Sequence, residues 1–454
     1  MPDELVAVVP DPGLGNASYL VDLGEGRALA VDACLDLRGL RREAGRRGLE
    51  IAFAADTHLH ADFLSGAVQL AASEGARVLA SRSGGRDFPH QGLADGDEVD
   101  LGGLVLRAIG TPGHTDEHVA YLLLDGDREL GVFTGGSLIV GSAARVDLVD
   151  PGRTEELARA QFHSLRRLAE LGDHLALWPT HGGGSFCSTA ASGAGVVSTI
   201  GAERATNPLL QAPDEESFVD LMLGTLGSHP PYFHRLGEVN RRGPAVLREE
   251  PTLRPIPAAE VRTLVASGAE IVDVRPITSF AAAHPPGAVS IPLRPAFASW
   301  LGWLVPHDKP IVVLREPDQD PDELLWQALK IGHDNIRGEV AGGIDGWQAE
   351  GLPVEATPLV GPDEIGRERI LDIRQRSEYA AGHVPGAVHV ELGQVADRSS
   401  ELAPAATVVM CGHGERAMGA ASLLARAGMD DVRVLLGGPG DVARARDISL
   451  QEGA

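Results

Sequence analysis

Two stretches of this chain can be laid over each other without a gap. Glu270 to Leu293, EIVDVRPITSFAAAHPPGAVSIPL, aligns on Arg369 to Leu392, RILDIRQRSEYAAGHVPGAVHVEL. Asp273, Arg275, His284, Pro286 and Gly287 meet Asp372, Arg374, His383, Pro385 and Gly386, each at an offset of 99 residues. A period that long marks a duplicated domain rather than a solenoid unit. Each copy reads as strand, helix, turn, strand and a later apolar strand, which predicts two small α/β domains with parallel sheets.

The 454 residues exceed what one ordinary core can hold, and about one domain per 150 residues predicts two to four. A hydrophobic content of 43% with 23% charged residues suits a buried core in each. No apolar run approaches the roughly 20 residues that span a bilayer, and the start MPDELVAVVP has no signal-like basic and apolar regions, so the expected location is the cytoplasm. Sixty-four Asp and Glu against 39 Lys and Arg give a formal charge of -25, which opposes binding to nucleic acid or an anionic membrane and favours a small-molecule substrate. Three cysteines, Cys34, Cys187 and Cys411, are too few for a disulfide framework and read as thiols.

Before the repeat, short apolar runs alternate with turns: LVAVVP, ASYLVDLG, ALAVDAC, IAFAADTHLH, ARVLAS, LVLRAIGTPGHT, VAYLLLDG and LGVFTGGSLIV. These read as strands, with AVQLAASEG and RRLAEL as covering helices, in a layered α/β domain over residues 1–200. Residues 201–255, with the amphipathic DEESFVDLMLGTL and the Pro- and Gly-punctuated GSHPPYFHRLGEVNRRGP, read as a helical connecting segment packed on that domain.

In the second copy the strand ATVVM runs into CGHGERA, placing Cys411 at the carboxyl end of a strand and ahead of the helix AMGAASLLARAG. Open parallel sheets put ligand sites there. Backbone N–H groups curling into the loop and the helix dipole favour a thiolate nucleophile, and Arg416 could complete an anion site. Both copies resemble rhodanese domains, over 256–354 and 359–450, on the strand ILDIR, the segment GHVPGAVHV and the loop from Cys411 to Arg416. The resemblance implies that Cys411 takes a sulfane sulfur from thiosulfate or a persulfide and passes it to a nucleophile such as a thiol or sulfite. The loop amides of Gly412, His413, Gly414, Glu415 and Arg416 would stabilise the persulfide. The first copy has Arg315 in the place of the cysteine, followed by the acidic EPDQDPDELL, so its expected role is a spacer or docking module.

Four segments of the first domain carry histidines or carboxylates at strand ends: THLHADF, GTPGHTDEH, FTGGSLIVG and WPTHGGGS. His58, His60, Asp62, His114 and His181 can converge on one sheet edge, whereas His90 and His118 read as ordinary histidines. Imidazole donors suit Zn(II), Fe(II) or Mn(II) alike. From GLGNASYLVDLG through HLHAD and TPGHT to PTHG, the order of motifs resembles the metallo-β-lactamase fold, an αββα sandwich, and within it the persulfide dioxygenases fused to rhodanese domains. That resemblance implies one divalent metal, Fe(II) in preference to Zn(II), held by two histidines matching His58 and His114 and by one aspartate. It also implies a low-molecular-weight thiol persulfide as substrate; the assembly, for which a homodimer or homotetramer is the expectation, is not read from the sequence. Here Phe63 stands where a second-metal histidine would be, and TGGSL puts Gly136 at the aspartate position. Three outcomes stay open: a three-histidine site of His58, His60 and His114, recruitment of Asp62 and His181, or a scaffold poor in metal. The rival functions are a metal-dependent thioester hydrolase of the glyoxalase II type and a non-catalytic persulfide-binding or sensing protein.

Overall fold

The computed structural model describes residues 5–189, 195–402 and 405–453. It divides into two compact units: residues 1–250 with 326–332, and residues 251–325 with 333–454.

The first unit is an αββα sandwich. One six-stranded sheet runs in sequence order from Val6–Asp11 to Gln91–Leu93, and the other is ordered Ser198–Thr199, Ala176–Pro179, Arg128–Gly135, Val119–Asp125, Leu104–Gly110, Glu98–Asp100. Alternation along the strands builds this packing, because one face of each sheet meets the other sheet and the opposite face meets helices. Tyr19, Val21, Leu29, Val31 and Phe53 of the first sheet pack on Leu106, Ala108, Tyr121, Leu123 and Phe133 of the second. Outside the first sheet, Leu20, Ala28, Ala30 and Ala54 pack on Leu40 and Ala44 of helix Arg38–Arg47 and on Ala67 and Leu70 of helix Ala67–Glu74. Outside the second, Leu122 and Val132 meet Leu157, Leu165 and Leu168 of helix Thr154–Ala169. Phe218, Val219 and Met222 of helix Glu215–Gly224 join that same core, so the expected connecting segment belongs to this unit as far as residue 250.

The second unit holds the two repeats as five-stranded parallel sheets of identical order. Pro255–Ile256, Ile336–Val340, Ile311–Leu314, Glu270–Asp273 and Val289–Ser290 form one, and Leu359–Val360, Val432–Leu435, Thr407–Met410, Arg369–Asp372 and Val388–His389 form the other. The residues that the copies share are structural pins. Asp273 binds Arg275 and Asp372 binds Arg374 in buried pairs that close the turn after the first long strand. Each arginine also donates one turn further on, to the carbonyl of Ala283 or of Gly382. His284 stacks on Phe280 and His383 on Tyr379, both at 3.8 Å between ring centroids. Because these pins are common to both copies, the chemistry lies in what differs between them.

Candidate metal centre and cysteine loop

The strand Glu50–Ala55 ends just before Thr57, so His58 and His60 leave the sheet edge side by side with ring centroids 4.2 Å apart. His114 follows the strand Leu104–Gly110 and a turn at Gly113, whose φ of 144° and close approach to Gln161 exclude a side chain. His181 follows the strand Ala176–Pro179. His58, His60, Asp62, His114 and His181 are all buried.

Hydrogen bonds fix the tautomers. Thr57 Oγ1 donates to Asp32 Oδ2 at 2.7 Å, so at 2.8 Å it accepts from Nδ1–H of His58. His114 Nδ1–H donates to the Arg145 carbonyl at 2.6 Å. Asn16 donates its amide to Asp62 at 2.7 Å and turns its carbonyl to Nδ1–H of His181 at 3.0 Å. All three rings therefore keep the Nε2 lone pair for a ligand, the arrangement in which an outer partner orients a metal-binding imidazole.

His58 Nε2 and His181 Nε2 face each other at 3.3 Å, two lone pairs with no proton between them. Two nitrogens at about 2.05 Å from a tetrahedral metal stand about 3.3 Å apart, so this separation fits a shared cation. His114 Nε2 is buried and has no hydrogen-bond partner among the described residues. Burial, together with the neighbouring histidines, pushes His58 far below its ordinary value, and burial with His181 beside it brings His114 down to about 3. Neutral imidazoles are the ligating form. The donor set fits a divalent metal.

His60 also faces a carboxylate. Its Nε2 lies 3.2 Å from Asp32 Oδ1, and although burial opposes the charged form, Asp32 with Asp56 and Asp62 raises its pKa. The expected set of His58, His60 and His114 is thus divided. His58, His60 and His181 have ligand atoms within 4.8 Å of one another, and so do His114, His181 and Cys187. Asp62 accepts from Asn16 and lies 3.4 Å from His181 Nδ1, which places it behind His181. Burial raises its pKa, but His181, His60 and Asn16 outweigh that and keep it below the usual carboxylate range. His118 is satisfied by Thr111 and by the N–H of Gly136.

Phe63 stacks on His60 at 4.2 Å, putting an apolar ring where a second-metal ligand is expected. Gly136 is a sharper change. A β-carbon there would collide with Cδ2 of His114 and come within 2.9 Å of its Cγ and Nε2, because the ring fills the space a carboxylate would use. Gly136→Asp is therefore expected to cost about 1–3 kcal/mol through overpacking and to weaken metal binding at least tenfold, measured by denaturant titration and chelator competition. Tighter binding without loss of stability would show that His114 can move aside. A cavity of about 370 Å³ lined by Leu59, Ala61, His114, Leu148, Phe233 and His234 gives access to the centre.

Sequence reasoning passed over Asp32, Asn16, Arg145 and Cys187. None of them stands in a histidine motif, and only the fold brings them to the centre. Burial first, and then Asp62, holds the Cys187 thiol far above its ordinary value in the metal-free chain.

In the second unit, Cys411 ends the strand Thr407–Met410, and the N–H of Gly414 donates to its sulfur at 3.1 Å. Gly412 is half-buried, His413 exposed, and Glu415 lies 3.1 Å from Arg294. Arg416 differs from the expected open anion site. Its guanidinium pairs with Glu378 at 2.6 and 2.8 Å and lies over the Trp300 ring at 5.6 Å. Two of its five N–H donors are thereby used. In the first copy the loop polarity is reversed: Arg315 pairs with Glu339 and donates to the carbonyls of Glu316 and Gln319. Carbonyl oxygens face a cation where amides would face a sulfur anion.

Comparison with known proteins concerns the family and fold of each part. The rhodanese-like domain family matches residues 257–350 and 359–443. A hydroxyacylglutathione hydrolase of Rhodopseudomonas palustris is 30% identical over 259 residues, covering 56% of this chain and 91% of that protein. Another, from Acidiphilium cryptum, is 35% identical over 163 residues, or 34% of this chain, which spans 60% of that protein's length. The crystal structure of a metallo-beta-lactamase from Staphylococcus aureus superposes with a TM-score of 0.65 at 28% identity, over 74% of this chain and 98% of that one.

Proposed function

Because the chain belongs to the metallo-β-lactamase-fold family that includes the hydroxyacylglutathione hydrolases, and carries two rhodanese-like domains after that fold, we propose that it is a sulfane-sulfur enzyme. The observation that carries the reading is Cys411, seated at a strand end under the Gly414 N–H and beside Arg416. Its thiolate would attack the outer sulfur of thiosulfate or of a thiol persulfide. The S–S bond of the donor breaks, sulfite or thiol leaves with the electron pair, and Cys411 holds the sulfur until an acceptor thiol or sulfite removes it.

The first unit would act on low-molecular-weight thiol persulfides through one divalent metal, Fe(II) in preference to Zn(II). His58, His114 and His181 would hold it, Thr57, Arg145 and Asn16 would keep their rings oriented, and Phe233 and Leu148 would shelter the substrate. A bound iron would supply Lewis acidity and the capacity to bring oxygen to the persulfide sulfur. Phe63 and Gly136, which remove a second-metal ligand and a carboxylate, support one metal over two.

The test is anaerobic reconstitution with Fe(II), metal analysis, and then oxygen uptake with several low-molecular-weight persulfides, alongside sulfur transfer from thiosulfate to a thiol. Oxygen uptake with one iron per chain is expected. Its absence at full iron occupancy would sink the dioxygenase half of the proposal. A second reading, thioester hydrolysis, is favoured by the relatives' names, and thioester turnover without oxygen uptake in the same preparation would select it.

A further inference from the structure

A divalent ion among neutral imidazoles in a buried site carries a charge that is costly to bury unless an anion lies close to it. Gly136 supplies no carboxylate, and the His114 ring leaves no room for one. An anionic donor from another part of the chain that reaches the same cluster would lower that cost. Asp62 is close, with Oδ2 bound to Asn16 and against Nδ1 of His181 and with Oδ1 buried and unpartnered among the described residues, but it shares no group of three ligand atoms within 4.8 Å of one another with any of these histidines.

Cys187 stands differently. Its sulfur and one ligand atom each of His114 and His181 lie within 4.8 Å of one another, and all three residues are buried. His114 Nε2, the nitrogen of that ring left to bind a metal, has no hydrogen-bond partner among the described residues. The backbone locks the pair together. The carbonyl of Arg145 accepts from His114 Nδ1 at 2.6 Å, and the N–H of Arg145 donates to the carbonyl of Cys187 at 2.8 Å. Arg145 is itself held by Asp147 and by the carbonyl of Gly227, both at 2.7 Å, so one rigid residue sets the His114 ring and the Cys187 backbone. The N–H of Cys187 donates to Oγ of Ser185 at 3.2 Å, fixing the turn after His181.

We propose that Cys187, as a thiolate, is an anionic ligand of the single metal, bound together with His114 and His181. The thiol loses its proton to solvent as the metal–sulfur bond forms, so loading releases one proton and the buried charge falls by one. A softer donor replaces the carboxylate, which tilts the centre toward ions that accept sulfur. The inference rests on the single-metal reading of the centre and not on which reaction that metal serves.

Cobalt titration of the metal-free, full-length chain separates the two. In a Cys411→Ser background, one equivalent of Co(II) is expected to give visible ligand-field bands and a near-ultraviolet sulfur-to-cobalt charge-transfer band. Adding Cys187→Ser should abolish the charge-transfer band and weaken binding at least tenfold, while adding Cys34→Ser should leave both unchanged. Ligand-field bands without any charge-transfer band, or a charge-transfer band that survives Cys187→Ser, would overturn the assignment and leave the single metal standing. No cobalt uptake would overturn both. Should Cys187→Ser fail to fold, X-ray absorption on the zinc-loaded parent decides: one sulfur at about 2.3 Å is expected, and a shell of nitrogen and oxygen alone refutes the proposal.

Discussion

Cys411→Ser is expected to lower sulfur transfer by a factor on the order of 10³ or more, since neither rhodanese-like domain holds another cysteine to form the persulfide that a two-step transfer requires. The fold should not change with it. Cys411 is buried, but its side chain makes one hydrogen bond, from Gly414, which a hydroxyl can also accept. A change below about 1 kcal/mol in unfolding free energy is the expectation for such a small replacement. The decisive comparison is between transfer from thiosulfate and oxygen uptake with a persulfide. If the two units carry separate chemistries, the variant loses the first and keeps the second. Full retention of transfer would show that sulfur passes through another thiol, and the assignment of Cys411 would fall. Arg315 offers no substitute, because its loop turns the carbonyls of Glu316 and Gln319 inward and would repel a sulfur anion.

The duplicated domain was legible because its shared residues, Asp273 with Arg275 and Asp372 with Arg374, are local pins separated by two positions. The sandwich strands were legible for a related reason, as each apolar run ends in a turn. The histidines declared themselves at strand ends, and the structure gathers them into two groups that share His181, one with His58 and His60 and one with His114 and Cys187. What local sequence did not carry was direction. His60 and His58 are separated by one residue, yet only the fold shows that a buried carboxylate from another strand end, Asp32, lies 3.2 Å from the His60 ring. Likewise Arg416 looked like an open cation until Glu378, far away in sequence, paired with it. The consequence of Gly136 was also hidden, because a glycine in a motif signals a lost side chain without saying what fills the gap. Here His114 fills it. Cys187 had no motif at all, and only the backbone of Arg145 joins it to His114.

Asp32 gives the largest expected effect on stability. It is buried at the end of the strand Arg27–Val31 in a left-handed conformation, with φ of 49°. Its two oxygens accept from the N–H and the hydroxyl of Thr57, both at 2.7 Å, and from the hydroxyl of Thr180, while His60 lies 3.2 Å away. One carboxylate thus ties together the loops that carry His58, His60 and His181. Burial alone would raise its pKa, but His60, Thr180 and Thr57 outweigh burial and lower it, so it is the charged form that the fold uses. Asp32→Ala leaves the N–H of Thr57, two hydroxyls and the His60 ring without their acceptor, and breaking a buried pair in this way costs about 3–5 kcal/mol. Asp32→Asn, which keeps the volume and suits the left-handed backbone, should cost less. The metal centre responds as well. Thr57 Oγ1 accepts from His58 only while its own proton is committed to Asp32, so losing Asp32 frees the hydroxyl to turn and the His58 ring to change tautomer. A 10–100-fold fall in metal affinity is the usual scale for losing such an outer partner. Denaturant titration of the metal-free chain and chelator competition on the loaded one measure the two effects separately. A stable Asp32→Ala variant with unaltered metal affinity would show that Thr57 and Thr180 satisfy each other without it, and that His58 is oriented by the backbone alone.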